Sequence, residues 1–210
     1  MESVNNIDAK LFNSSFLGDL EGVVDALAQG GRVAMRSPQG FTPLLIAAQE
    51  GHSKICSILL AHGSDVNEEY LKSKLTALQL AASQGHVAVV EALLSWGAIV
   101  DPQDHFGHTP LHVACTAGHA ACVLALLKAG ASIYLPNFPG ALPIHAAAKA
   151  NRVEIVRILL DYDCSPNMVT VSCCDKTLTT IMKSFLLSGG ESESQSRGNT
   201  AHFCSNWSSY

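Results

Sequence analysis

The chain has 210 residues, of which 48% are hydrophobic and 15% are charged, and its formal net charge is −5 at pH 7. A chain of this length and apolar content can bury a substantial core, which excludes extensive disorder. Its negative charge provides no basic surface for a nucleic-acid backbone or for anionic lipid headgroups. We therefore expect partners that are neither nucleic acid nor membrane.

Segments that would direct the chain to a membrane are also missing. No apolar run approaches the roughly 20 residues that a bilayer-spanning helix requires. Residues 1–13 are acidic and polar where a secretory signal would be basic and then apolar. The seven cysteines include no C-x-x-C pair, which favours a reducing compartment over a disulfide framework. We expect a monomeric cytoplasmic protein, with the nucleus as a further location.

A repeat with a period of 33 or 34 residues runs through most of the chain. Gly-Asp or Gly-His pairs stand at 18–19, 51–52, 85–86 and 118–119, and a second series of glycines stands at 30, 63, 97 and 130. Apolar residues at helical spacing lie between the two series, as in 87–94. A short alanine-rich stretch precedes each pair, as in 109–115. Each unit is therefore predicted to contain two antiparallel helices.

Capping residues indicate where these helices begin and end. Thr42-Pro43 and Thr109-Pro110 each combine a hydroxyl that can accept an unpaired backbone amide with a proline suited to the first helical turn. The glycines of the first series stand where a left-handed residue would end a helix. Alanine pairs keep the first helix of each unit narrow, so neighbouring units can stack closely.

These sequences resemble the ankyrin repeat. The resemblance rests on T-P-L-L-I-A-A at 42–48 and T-P-L-H-V-A-C at 109–115, with G-H, V-V and L-L-x-x-G elements following along the units. It implies an all-α solenoid of stacked antiparallel helix pairs with β-hairpin finger loops. Four clear units are expected, at 36–68, 69–102, 103–135 and 136–167. A degenerate capping unit is expected at 1–35, where Ala9-Lys10 replaces Thr-Pro and polar residues suit a face exposed to water.

The later units depart from this pattern in several places. One extra residue within 68–75 predicts a reshaped finger loop, Leu142 replaces the capping threonine, and Asp163 replaces the closing glycine. The pattern ends after residue 167. We interpret 168–187 as a partial C-terminal cap and 188–210 as a disordered Ser/Gly-rich tail. The abrupt loss of pattern suggests a shortened form of a longer protein.

One cluster has the residue types and the spacing of a zinc site, namely His112, Cys115, His119 and Cys122. The repeat register favours another interpretation, because the two cysteines fall at positions that other units fill with small or aliphatic core residues. His119 belongs to a Gly-His turn, whose histidines we expect to hydrogen-bond between units. We therefore expect no metal and no other cofactor.

The sequence contains no phosphate-binding glycine loop, no G-x-S-x-G and no H-E-x-x-H. We therefore expect a non-enzymatic scaffold or adaptor for protein–protein interaction. The resemblance implies that a partner protein binds the concave surface formed by the finger loops and the ends of the first helices. The residues that this assigns are Pro38, Gln39, Phe41, Gln49, Glu50, Ser73, Leu75, Ser83, Gln84, His105, Phe106, His108, Thr116, Phe138, Pro139 and Lys149. The three phenylalanines fit two interpretations equally, as anchors for a partner or as packing between loops.

Two further hypotheses come from the resemblance. Ankyrin repeats are substrates of an intracellular asparaginyl hydroxylase, and Leu59, Asp65 and Val66 precede Asn67 in the favoured arrangement. The alternative function is substrate recognition for a cullin-type ubiquitin ligase, as in ankyrin-and-SOCS-box proteins. Residues 168–210 contain no recognisable box, so such a chain would bind a substrate without delivering it. A third function, nuclear co-regulation, would need a basic import signal that the sequence lacks.

Overall fold

The computed structural model describes residues 2–71 and 73–162, which form ten helices in five consecutive pairs. The helices are α1 (Glu2–Leu17), α2 (Leu20–Ala28), α3 (Pro43–Glu50), α4 (Ser53–Ala61), α5 (Ala77–Gln84), α6 (Val87–Ser95), α7 (Pro110–Ala117), α8 (Ala120–Lys128), α9 (Pro143–Lys149) and α10 (Val153–Asp161). In the described ranges, strand pairing is limited to one isolated antiparallel bridge between Glu69 and Thr76. The prediction of an all-α solenoid of stacked helix pairs is confirmed.

The pairs stack in a single direction. The first helices α1, α3, α5, α7 and α9 pack against one another in sequence, and so do the second helices α2, α4, α6, α8 and α10. Leucines on both layers are fully buried between units, such as Leu44, Leu93 and Leu126. Each fully buried leucine contributes about 1.5–3 kcal/mol relative to an exposed one. The core is therefore a continuous ribbon along the stack.

The predicted capping residues occupy their expected positions. Thr42 and Thr109 are the N-caps of α3 and α7, and their hydroxyl oxygens accept the amides of Leu45 and His112 at 3.3 and 3.4 Å. The glycines that end the first helices are left-handed, as at Gly51 with φ +88°. Local sequence chemistry therefore fixes both ends of these short helices.

The first helix begins earlier in the chain than the start expected near Ala9. Helix α1 begins at Glu2 and has 16 residues, twice the length of α3. No Thr-Pro pair interrupts the chain at Ala9-Lys10, so nothing ends the helical path before that point. The extension places Asp8 within the helix, where its carboxylate accepts hydrogen bonds from the backbone amide and the guanidinium of Arg32 at 2.9 Å.

Asp8 binds a backbone amide of its own unit, whereas two later units have the equivalent amide bound by a side chain of the preceding unit. The amides of Ile99 and Ser132, which stand at the position of Arg32 in later units, are bound by the side chains of Asn67 and Asp101 from the preceding unit. The guanidinium holds the pKa of the Asp8 carboxyl below its usual range. The first unit therefore needs no preceding unit to satisfy this amide.

A polar face completes the first unit. Asp25 in α2 occupies the position of Ile58, Ala92, Ala125 and Ile158 in the later second helices. Its carboxylate accepts hydrogen bonds from the ammonium of Lys10 and from the amide of Gln29. Where later units have a partly buried aliphatic side chain, the first unit therefore presents charged and polar groups to water.

Several expectations fall on residues that lie outside the described ranges. These are the Asp163 position, the partial cap at 168–187 and the tail at 188–210. None of the helices formed by residues 2–71 and 73–162 combines the length and the apolar character that crossing a membrane requires.

Candidate functional site

Three finger loops, in the second, fourth and fifth units, close in the same way. The amide of the first loop residue donates to the carbonyl of the fifth at 2.8–3.1 Å, in loops that span 37–41, 104–108 and 137–141. The side-chain oxygen of that first residue accepts the amide of the fifth at 2.8–3.2 Å, from Ser37, Asp104 and Asn137 respectively. A glycine with positive φ stands fourth in each loop. The second and third residues therefore lie exposed at the tip.

The finger loop of the third unit has the predicted different shape. Its closing hydrogen bond runs from the Tyr70 amide to the Leu75 carbonyl at 2.8 Å and encloses one more residue than the other loops. Lys74 takes the left-handed position of the glycines, with φ +56°. The extra residue leaves Leu71 at the tip with 68% of its surface exposed.

Neighbouring finger loops are joined through their backbones. The amide of His105 donates to the Ser73 carbonyl at 3.3 Å, and the amide of Phe138 donates to the Phe106 carbonyl at 3.0 Å. Side chains at the loop bases add bridges, because Gln103 donates to carbonyls of its own and the following loop at 3.1 and 3.3 Å. The finger loops of the third, fourth and fifth units therefore form a connected row.

The three phenylalanines of the predicted surface have different surroundings. The ring of Phe41 is partly buried and stacks on Tyr70 of the next unit, with centroids 4.4 Å apart. Phe106 and Phe138 stand at loop tips and are 65% and 72% exposed. The packing interpretation therefore describes Phe41, while Phe106 and Phe138 remain available to a partner.

The other predicted surface residues divide in the same way. The exposed ones are Pro38, Gln39, Glu50, Gln84, His105, Thr116, Pro139 and Lys149. The partly buried ones are Gln49, Ser73, Leu75, Ser83 and His108. We call the set Gln39, Glu50, Gln84, His105, Thr116 and Lys149 the concave strip, because these residues expose polar side chains on the finger loops and at the ends of the first helices.

The Gly-His turns hold the ends of the first helices. Each histidine donates from Nε2 to a backbone carbonyl near the end of the preceding first helix, in the pairs His52 with Phe16 at 3.1 Å, His86 with Gln49 at 3.0 Å and His119 with Ser83 at 3.1 Å. Arg152 takes this position in the last unit and donates to Thr116 at 3.3 Å. The prediction that these turn residues bond between units is confirmed, and we call this series the turn ladder.

In two units, a buried polar side chain on the first helix bonds to the finger loop of the following unit, an arrangement that we call the clamp. His112 Nδ1 accepts the Thr109 amide at 3.2 Å, while Nε2 donates to the carbonyl of Ala141 in the next loop at 3.0 Å. Gln79 repeats this arrangement, accepting the Thr76 amide at 2.9 Å and donating to the His108 carbonyl at 2.7 Å. Burial lowers the pKa of His112 to about 4, so the imidazole stays neutral.

The side chains considered for a zinc site are engaged elsewhere. His112 uses both ring nitrogens in the clamp, and His119 Nε2 belongs to the turn ladder. Cys115 and Cys122 are buried, and burial raises the pKa of the Cys122 thiol to about 11. Among residues 2–71 and 73–162, no group of three or more His, Cys, Asp or Glu side chains could hold a metal ion.

The role of Gln79 was missed by the sequence analysis. Thr76-Ala77-Leu78-Gln79 departs from T-P-L-H, yet a glutamine amide offers one acceptor and one donor at the same reach as a neutral imidazole. Aligning the units would have revealed this role, since Gln79 and His112 stand at equivalent positions of consecutive units.

Comparison with protein families gives an independent result. The family model for ankyrin repeats (3 copies) matches residues 11–104 and 97–170, which is more than half of the chain. A comparison with curated proteins found no match. The 33-residue register, the threonine and glycine caps and the turn ladder agree with the family match, and the chain belongs to the ankyrin-repeat family.

Proposed function

We propose that this protein is a non-enzymatic adaptor that binds a partner protein through the concave strip. Ankyrin repeats are in general protein–protein interaction modules. The observation that carries the proposal is the row of hydrogen-bonded finger loops, which holds exposed side chains at fixed spacing beside the ends of the first helices. A surface that is rigid before binding loses little conformational entropy when a partner binds.

The use of polar side chains in the interior supports a binding role over catalysis. Thr76, Gln79, Thr109 and His112 are all buried, and all of them bond to backbone groups of helix starts and finger loops. Their hydrogen bonds hold the helix starts and finger loops that form the surface.

The test changes the charge at three positions of the concave strip. A variant carrying Gln84→Lys, Thr116→Lys and Lys149→Glu should lose its cellular partners in affinity capture with quantitative mass spectrometry. Purified partners should bind it at least about tenfold more weakly. The matched control carries Glu91→Lys and Lys128→Glu, which are exposed on the second helices α6 and α8. Equal partner sets for both variants would contradict the proposal.

The ubiquitin-ligase alternative depends on residues 168–210, which lie outside the described ranges. The same capture experiment tests it, because cullin or elongin components among the partners would favour that function. The reduced thiols of Cys56, Cys115 and Cys122 support the further proposal of a cytoplasmic location.

Hydroxylation of Asn67 also remains a proposal. Its side-chain Oδ1 accepts a hydrogen bond from the backbone amide of Ile99 at 2.8 Å, and its backbone amide donates to the Asp65 carboxylate at 2.9 Å. Mass spectrometry of the tryptic peptide 55–72 from cells is expected to show one added oxygen. An unmodified peptide at full occupancy would exclude the modification, and Asn67→Asp serves as the control.

A further inference from the structure

The first unit exposes a group of large apolar side chains on both sides of its turn. Phe16 and Leu17 at the end of α1 are 47% and 72% exposed, and Leu20 and Val24 in α2 are 39% and 50% exposed. Only two residues separate Leu17 from Leu20, and Val24 lies one helical turn beyond Leu20. We call these four residues the apolar end.

The composition of the apolar end is unusual among the units. The equivalent positions of the second unit hold only polar side chains, which are those of Gln49, Glu50, Ser53 and Ser57. A terminal unit of a repeat array faces water and is therefore expected to be at least as polar as an internal one. Large apolar side chains that stand together on a surface mark sites where another molecule binds.

The apolar end continues the concave strip into the first unit. The turn ladder treats the end of α1 like the ends of the later first helices, because the Phe16 carbonyl accepts a hydrogen bond from His52 at 3.1 Å. In this register Leu17 holds the position that Glu50 and Gln84 hold in the concave strip. The apolar end is therefore the first unit's part of the surface to which we assign partner binding.

The charge beside the apolar end is negative. The turns of the first two units, at 16–21 and 49–54, contain four exposed charged side chains, which are those of Asp19, Glu21, Glu50 and Lys54. Three of the four are carboxylates, and neither Glu21 nor Glu50 forms an ion pair with a described residue. A partner segment with basic side chains complements this charge.

The turns of the later units lack this negative charge. Those of the third and fourth units, 83–88 and 116–121, contain no Asp, Glu, Lys or Arg. The turn of the fifth unit, 149–154, contains two basic side chains and one acidic side chain. A basic segment is therefore favoured at the first unit over the other end of the stack.

We propose that the apolar end binds a segment of the partner protein in which large apolar side chains are flanked by lysine or arginine. This proposal rests on the proposed function and specifies the chemistry of the partner. The partner's apolar side chains cover Leu17 and Val24, and its basic groups lie beside Glu21 and Glu50. The methylene stems of those basic side chains cover further apolar surface.

The experiment measures binding of labelled synthetic peptides to the full chain by fluorescence anisotropy. Three peptides of equal length contain leucines flanked by arginines, leucines flanked by aspartates, or serines flanked by arginines. We expect the leucine–arginine peptide to bind at least about tenfold more tightly than either of the others. Its affinity should fall as salt is added, because exposed charges contribute to binding.

Substitutions locate the bound peptide. Leu17→Ser with Val24→Ser should weaken binding of the leucine–arginine peptide about tenfold or more. Both side chains are at least half exposed, so this variant should keep its fold. The matched control, Trp96→Ser with Glu91→Gln, removes one exposed apolar and one exposed acidic side chain from α6 and its end, and should leave binding unchanged.

Reversing one charge separates the electrostatic contribution from the apolar one. Glu21→Arg should weaken binding of the leucine–arginine peptide and strengthen binding of the leucine–aspartate peptide. Glu21→Gln should change both affinities in the same directions but by less. It replaces the first variant if a cation in the first turn of α2 disturbs folding.

Several outcomes would overturn the proposal. They are equal binding of the three peptides, preference for the leucine–aspartate peptide, or no effect of Leu17→Ser with Val24→Ser. Self-association in sedimentation that this variant abolishes would assign the apolar end to a second copy of the chain instead. Partners that are lost with the concave-strip variant but retained by Leu17→Ser with Val24→Ser would leave the proposed function intact and refute this inference alone.

Discussion

Replacing Gly85 with alanine should lower the free energy of unfolding by about 3 kcal/mol, whereas the same replacement at Gly97 should cost about 1 kcal/mol. The two glycines share a φ of +81°. A Cβ atom at Gly85 would lie 2.6 Å from Nδ1 of His119, while a Cβ atom at Gly97 would meet nothing within 4 Å. Comparing the two variants therefore separates the cost of backbone strain, which both share, from the cost of losing the hydrogen bond between His119 and the Ser83 carbonyl.

Urea unfolding followed by circular dichroism measures both costs. Hydrogen exchange should show faster opening in the third and fourth units of the Gly85→Ala protein, because the bond from His119 to the Ser83 carbonyl joins those units. Equal costs at Gly85 and Gly97 would show that the turn ladder contributes nothing to stability beyond the conformation of its glycines.

Replacing His112 with alanine should cost about 3 kcal/mol, because it creates a buried cavity and leaves the Thr109 amide and the Ala141 carbonyl without partners. His112→Gln should recover most of that loss. Gln79 already forms the same two bonds at the equivalent position of the preceding unit. A glutamine variant as unstable as the alanine variant would mean that the shape of the ring, and not its hydrogen bonds, is required.

The same site predicts a dependence of stability on pH. The pKa of His112 is about 4 in the folded chain, below the ordinary value of 6.5. The unfolded chain therefore binds the extra proton first, and the contribution of His112 is complete above pH 6.5 and is lost as the pH falls towards 4. This linkage corresponds to about 3 kcal/mol across that interval. His112→Gln should flatten the stability profile between pH 6.5 and 4 relative to the original chain.

Local chemistry made much of the fold predictable. A threonine before the first helix and a glycine after it mark the helix pairs of the second, third and fourth units. The Gly-His turns could be assigned to bonding between units because the same residue types recur at one position of the register. What repeats in a sequence can be interpreted by comparing its copies.

The unpredicted features arise where one copy differs from the rest. Helix α1 extends to Glu2 because the Thr-Pro signal is absent there, and Asp8 could be understood only once its Arg32 partner was visible, 24 positions away. The packing of Phe41 depends on Tyr70, the first residue of the third unit's finger loop, whose ring stacks on it. Exposure at the loop tips likewise depends on which of five similar loop positions an aromatic residue occupies.

The turn ladder has a direction along the chain. Every donor in it, from His52 to Arg152, belongs to the later unit, and every accepting carbonyl belongs to the earlier one. A ribosome delivers the units in that same order, amino-terminal first. Each unit leaving the exit tunnel therefore meets a carbonyl of the unit made before it, so the stack can assemble one unit at a time during synthesis.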